Sequence, residues 1–177
     1  MENQMSVALN RIKSWLAKEE VNFGESSIPE QDNVIILNGD MQGLNALFMK
    51  RIKFYIMVSE EDLQSYMVLT HNIDEKHRHF IMEYITRVNY GLKYGAFEMD
   101  LDDGEIRFHM ALPTRSILMG DEEYIKPILE KFFHFPLSSM NQYVKGIEKL
   151  TIKYSEGENI TSEVIKAEHD RCQNGQD

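Results

Sequence analysis

The stretch Tyr94–Pro113, YGAFEMDLDDGEIRFHMALP, decides the fold. Apolar and polar residues alternate on both sides of a polar turn, the pattern of a β-hairpin half covered by a core. Asp103-Gly104 suits a two-residue turn, because both central positions of that turn need positive φ. With this turn, Leu101 faces Ile106, Met99 faces Phe108 and Phe97 faces Met110. On the other face Asp100 opposes Arg107 and Glu98 opposes His109, so the charges are complementary. A slip of one residue would set Leu101 against Glu105 and turn each apolar side chain to the wrong face. The acids Asp100, Asp102, Asp103 and Glu105 are then the polar end of a hairpin. They also fail as a calcium loop. Such a loop needs oxygen ligands at alternate positions before its glycine and a glutamate six residues after it, where this chain has Leu101, Met99 and Met110.

Upstream, Met5, Leu9, Ile12 and Leu16 recur at helical spacing and predict an amphipathic helix over Met5–Lys18. Asn33–Asp40 reads as a strand ending in an Asn38-Gly39 turn. Ala46–Val58 reads as a second strand. Ile52, Phe54, Ile56 and Val58 face one way, and Arg51, Lys53, Tyr55 and Met57 the other. Ser59–Asp62 is a connector, and Ser65–His71 a third strand, which together predict an antiparallel meander. Asp74 is placed to cap a helix whose stripe is Phe80, Ile81, Tyr84, Ile85 and Val88, with Gly91 at its end. Asp121 is placed to cap a last helical region, broken or kinked at Pro136 and resuming to Leu150. The expected order is α-β-β-β-α-β-β-α, an α+β domain over residues 1–154 with an antiparallel sheet packed on helices at one face. From Ser155 onward six acids meet one lysine and one arginine. This predicts a mobile polar tail, with a transient helix near Ser162–His169.

Composition bounds the function. The chain has 177 residues, 42% of them hydrophobic and 27% charged, with a net charge of −10. A field of that sign opposes binding to nucleic acid, although Lys50, Arg51 and Lys53 form a local basic exception. No apolar run reaches the roughly 18 residues of a membrane span, and the N-terminus lacks the apolar stretch of an export signal. The expectation is a cytoplasmic protein without membrane or nucleic-acid partners. The single cysteine, Cys172, excludes an intramolecular disulfide and is expected to be an exposed, reduced thiol.

Catalytic patterns are missing from the sequence. There is no P-loop, no G-x-G-x-x-G and no G-x-S-x-G. His77 and His79, two apart on a helix, point to different faces and read as surface or capping residues, even with His71 nearby. An acid pair of Asp40 with Glu60 or Asp62 stays open as a buried site. No cofactor and no metal are expected. The chain holds 11 methionines. Met49, Met57, Met67, Met82, Met99 and Met110 lie in expected elements, where methionine fills cores or adapts a binding face. Tyr55 and Met57 are large residues opposite the core stripe. With Arg51 and Lys53 they are the candidate protein-binding residues.

Asn89–Gly91 closing the second helix, Gly95-Ala96-Phe97-Glu98 opening the hairpin, Asp103-Gly104, the Ile106–Pro113 strand ending in ALP, and Gly146 late in the last helical region together resemble the YbjN family of bacterial proteins. These are described as sensory transduction regulators and share the fold of type III secretion chaperones. The likeness is strongest over about Glu75–Leu150. It implies a compact domain that binds a protein partner as a homodimer and has no assigned catalytic residue. The reading is a non-catalytic bacterial adaptor or chaperone-like regulator, the alternative an enzyme or small-ligand binder with an unrecognised pocket.

Overall fold

The computed structural model describes residues 3–28 and 31–175. They form helix α1 (Gln4–Lys18), strands β1 (Gly24–Ile28), β2 (Gln31–Gln42), β3 (Arg51–Val58) and β4 (Asp62–Leu69), helix α2 (Glu75–Gly91), strands β5 (Ala96–Met99) and β6 (Ile106–Pro113), a 3-10 turn at Thr114–Ile117, and helices α3 (Glu122–Ser155) and α4 (Ser162–Gln173). The sheet is antiparallel in the order β1-β2-β3-β4-β6-β5. The fold is therefore α+β, with β1 and α4 added to the expected order.

Alternation builds the core as anticipated. Ile52, Phe54, Ile56 and Val58 of β3 are buried on one face, joined by Leu63 and Met67 of β4, Ile106, Phe108 and Met110 of β6, and Leu37 of β2. Helices cover this face. Trp15 of α1 meets Phe133 of α3 edge-on at 5.5 Å, and Phe133 meets Phe54 at 5.4 Å. Pro136 does not divide the last helical region, since one helix runs through both Pro127 and Pro136. The hydrogen bond lost at a proline costs roughly 3 kcal/mol. Burial of Phe132, Phe133, Met140, Tyr143, Val144 and Ile147 along one stripe outweighs it.

Four local expectations need correction. Asn38-Gly39 is not a turn, because Gly39 lies inside β2 opposite Phe54. A Cβ there would stand 2.6 Å from both the Asn22 carbonyl oxygen and the Phe54 ring, so the glycine admits a close approach. Residues Ala46–Lys50 form a loop, and β3 begins at Arg51. Gly91 is the last residue of α2 and not its left-handed cap. Asp74 stands at the N-cap of α2 but its side chain makes no capping bond, whereas Asp121 caps α3 by accepting from Tyr124 N at 3.0 Å.

The hairpin is offset by two residues from the expected register. Met99 pairs with Ile106, Phe97 with Phe108 and Glu98 with Arg107. An even offset keeps every side chain on its face, so the apolar pattern alone does not choose between the two registers. Contacts within the turn and outside the hairpin favour the longer turn. The Asp100 amide donates to Glu105 O, and Asp100 and Asp103 carboxylates accept from the Asp102 and Glu105 amides. Arg78 of α2 donates to Leu101 O and Asp102 O, and Ile73 N donates to Gly104 O. Gly104 has φ +82°, as a turn glycine should. The Asp100 and Asp103 carboxylates thus close the turn. At the outer edge of β5, the Asn89 amide takes the place of a strand, donating to Phe97 O and accepting from Phe97 N, each at 2.8 Å.

Candidate functional site

The sheet face opposite the core carries three cross-strand rows that span at least four strands, read from the strand register. One joins Ile36, Met57, Gln64 and Ala111. The next joins Asn38, Tyr55, Tyr66, His109 and Ala96. The third joins Asp40, Lys53, Val68, Arg107 and Glu98. Tyr55, Met57, Ile36 and Tyr66 are half-buried, and Arg51 and Lys53 are exposed. The four candidate residues from the sequence thus share one face of β3 and stand outside the core.

Across that face runs an ordered polar and aromatic cluster. The Tyr66 and His109 rings stack at 4.5 Å with 10° between their planes, and Arg107 lies 5.0 Å from the Tyr66 centroid. Glu98 accepts from Arg107 Nε at 2.7 Å and meets His109 Nδ1 at 3.1 Å. Burial alone would raise the Glu98 pKa. The hydrogen bonds from Arg107 and His109 together outweigh it and hold the group below the ordinary carboxylate range. Burial also pushes the Tyr66 phenol up, against the opposing pull of Arg107. Tyr66, Arg107 and His109 were not singled out from sequence. The signal was present in the charge complementarity of the hairpin's outer face, which reads equally well as simple strand pairing.

A second feature lies at the β2–β3 connection. Both carboxylate oxygens of Glu148, on α3, accept backbone N–H groups: Leu47 at 2.7 Å, Phe48 at 2.7 Å and Met49 at 2.6 Å. Asn141 accepts from Asn45 N at 2.9 Å. Leu44 and Met49 are buried, so the loop is held at both ends, while Leu47 is 68% and Phe48 45% exposed. About a hundred residues separate Glu148 from these amides, and no local pattern announces the contact.

Other candidates disperse. Asp40 lies opposite Lys53 and Asp62 opposite Pro113, so they do not form a buried acid pair. His71 and His79 are exposed, but His77 is buried against Phe80 and Tyr154, contrary to its reading as a surface residue. Among the described residues no three histidine, cysteine or acidic side chains come together to hold a metal ion. No described helix is long and apolar enough to cross a membrane. Residues 162–173 form α4, packed on α2 and α3 through Ile165, Glu168 and Cys172, in place of the expected mobile tail. Cys172 is therefore buried, not exposed. A groove of about 340 Å³ lies between α1 and the first turns of α3, lined by Arg11, Trp15, Lys18, Glu122, Ile125 and Leu129. Its charges are largely engaged. Arg11 donates to Ile117 O at 2.6 Å and Gly120 O at 3.3 Å, and Lys18 pairs with Glu122. No family model matches the chain, and no curated protein and no solved structure matches it.

Proposed function

We propose that this chain is a non-catalytic bacterial adaptor, a chaperone-like regulator that binds a protein partner on the open face of its sheet. The YbjN resemblance supports this reading and extends it to a cytoplasmic homodimer acting in sensory transduction. One observation carries it. Tyr55, Met57, Tyr66 and Ile36 form a half-buried apolar band on a sheet whose other face is already filled by helices. Aromatic side chains are enriched where binding energy concentrates, and methionine adapts to varied partners. Arg51 and Lys53 border the band and favour acidic surroundings in a partner.

The test begins with a partner captured by the tagged protein from its native cells, then purified and titrated directly. Tyr55→Ala and Met57→Ala are expected to weaken that binding roughly tenfold or more, with little change in the urea midpoint. Unaltered affinity, or unfolding of both variants, would remove the sheet face as the site.

A second reading, a small-ligand binder, rests on the α1–α3 groove, where the Trp15 indole N–H is buried without a hydrogen-bond partner among the described residues. Trp15 is the sole tryptophan. Its emission therefore reports occupancy, and a ligand library that leaves it unchanged argues against this reading.

A further inference from the structure

We propose that the loop at residues 43–50 is a preformed docking point for an acidic, apolar-bearing segment of the partner protein. This inference rests on the adaptor reading and assigns the partner's chemistry.

The loop exposes Leu47 at the groove and Phe48 beside His71, on an anchored backbone. Phe48 is steadied by an edge-on contact with His71 at 5.6 Å. A rigid backbone lowers the entropy that binding must remove. A shallow groove of about 250 Å³ adjoins it, lined by Ala46, Leu47, Lys145, Glu148 and Lys149. Lys50 ends the loop, and Arg51 and Lys53 of β3 stand beyond it on the open sheet face, where Asp40 lies opposite Lys53. Among the described residues, Lys50, Arg51, Lys53 and Lys149 make no salt bridge. The one groove carboxylate, Glu148, is spent on three backbone amides. A protein of net charge −10 therefore keeps Lys50, in the loop, and Lys149, in the groove, without a salt bridge among the described residues. The complementary occupant carries carboxylates for the lysines and an apolar side chain for the groove.

Two other anionic surfaces fit less well. Nucleic acid would meet the repulsive field of the whole protein. A membrane would find two apolar side chains beside a concave groove, not the long apolar face of an interfacial helix.

Fluorescence anisotropy with the intact protein tests this. The probes are a labelled peptide of glutamate alternating with leucine, and the same peptide with glutamine for glutamate. The acidic peptide is expected to bind at low salt and to weaken as salt rises, with the glutamine peptide roughly tenfold weaker. Leu47→Ser and Lys149→Glu, both at solvent-accessible positions, are expected to lower its affinity to a similar extent. Absence of binding at low salt, or equal binding of the two peptides, overturns the proposal. So does binding only to phosphatidylserine vesicles or to polyuridylate. The adaptor reading fails separately, if Tyr55→Ala and Met57→Ala leave the purified partner's affinity unaltered. If the purified partner is lost with Tyr55→Ala but unaffected by Leu47→Ser and Lys149→Glu, the sheet face stands and the loop proposal falls.

Discussion

The hydroxyl of Tyr84 occupies the space that a side chain at position 146 would need: a Cβ on Gly146 would stand 2.1 Å from Tyr84 Oη. The contact locks α2 to α3, and the same hydroxyl donates to Tyr143 O at 3.0 Å. Glycine in a helix interior costs about 1 kcal/mol relative to alanine. Propensity therefore favours Gly146→Ala, and packing opposes it. Overpacking of a tight interior costs about 1–3 kcal/mol, so packing wins. Gly146→Ala is expected to lower the urea midpoint, and Tyr84→Phe not to rescue it, because the ring carbon Cζ would still lie 2.4 Å away. A stabilised Gly146→Ala protein would show that the two helices do not meet in this way.

Glu148→Gln is expected to destabilise by about 2–3 kcal/mol, the range for losing charged hydrogen bonds in a buried setting. An amide keeps one acceptor oxygen and turns an NH₂ group toward a backbone N–H. The damage should be local. Amide exchange at Leu47, Phe48 and Met49 would accelerate well beyond the change seen in β3 and β6, as expected where one loop opens separately from the core. Uniform acceleration across the sheet would mean that Glu148 supports the whole fold and not the loop in particular.

Much of this architecture is legible in the residues because periodicity reports burial. Ile52, Phe54, Ile56 and Val58 declare the core face of β3 without any tertiary information, and Tyr55 and Met57 declare its opposite. What escapes is decided by partners distant in sequence. Gly39 reads as a turn until the Phe54 ring and the Asn22 carbonyl are set beside it. The hairpin register depends on Arg78 and Ile73, which lie outside the hairpin. The strand Gly24–Ile28 is too polar to show a period, and it forms because β2 offers an edge. Glu148 and Leu47 are invisible as a pair for the same reason.

His77 provides a pH-dependent term. Its ring is buried against Phe80 and Tyr154, and among the described residues its Nε2 has no hydrogen-bond partner. Burial lowers its pKa below the ordinary 6.5, helped by Lys76 and His79 and opposed by Asp74. In the native protein the ring therefore resists protonation more than in the unfolded chain. As pH falls from 6.5 toward the lowered native value, the unfolded chain takes up a proton that the native state does not, and stability declines through that window. Above 6.5 this contribution is constant. His77→Phe keeps an aromatic ring without a titrating nitrogen, so its urea midpoint should fall less than wild type between about pH 7 and about pH 5. Equal acid sensitivity in the two proteins would move the effect to other groups.

The burial of Cys172 makes the docking of α4 measurable. The thiol is 4% exposed, and Arg171 Nη2 lies 3.5 Å from its sulfur. The neighbouring Tyr84 phenol is pushed far above its ordinary range, first by burial and then by Cys172. These are the marks of a packed junction among α2, α3 and α4. A thiol in a solvated tail would react with an aromatic disulfide reagent at the rate of a free peptide thiol, whatever the state of the domain. A thiol under α4 reacts only when that helix lifts, so the rate is reduced by the opening equilibrium. The native protein is expected to react slowly and the urea-unfolded protein at once. Because only Ile165, Glu168 and Cys172 of α4 are buried, its release should cost less than global unfolding. Thiol reactivity should then rise at urea concentrations below those that expose Trp15, whose emission reports the main core. If the two transitions coincide, α4 is part of the cooperative unit. If the thiol reacts freely without urea, the helix is not docked and the polar-tail reading returns.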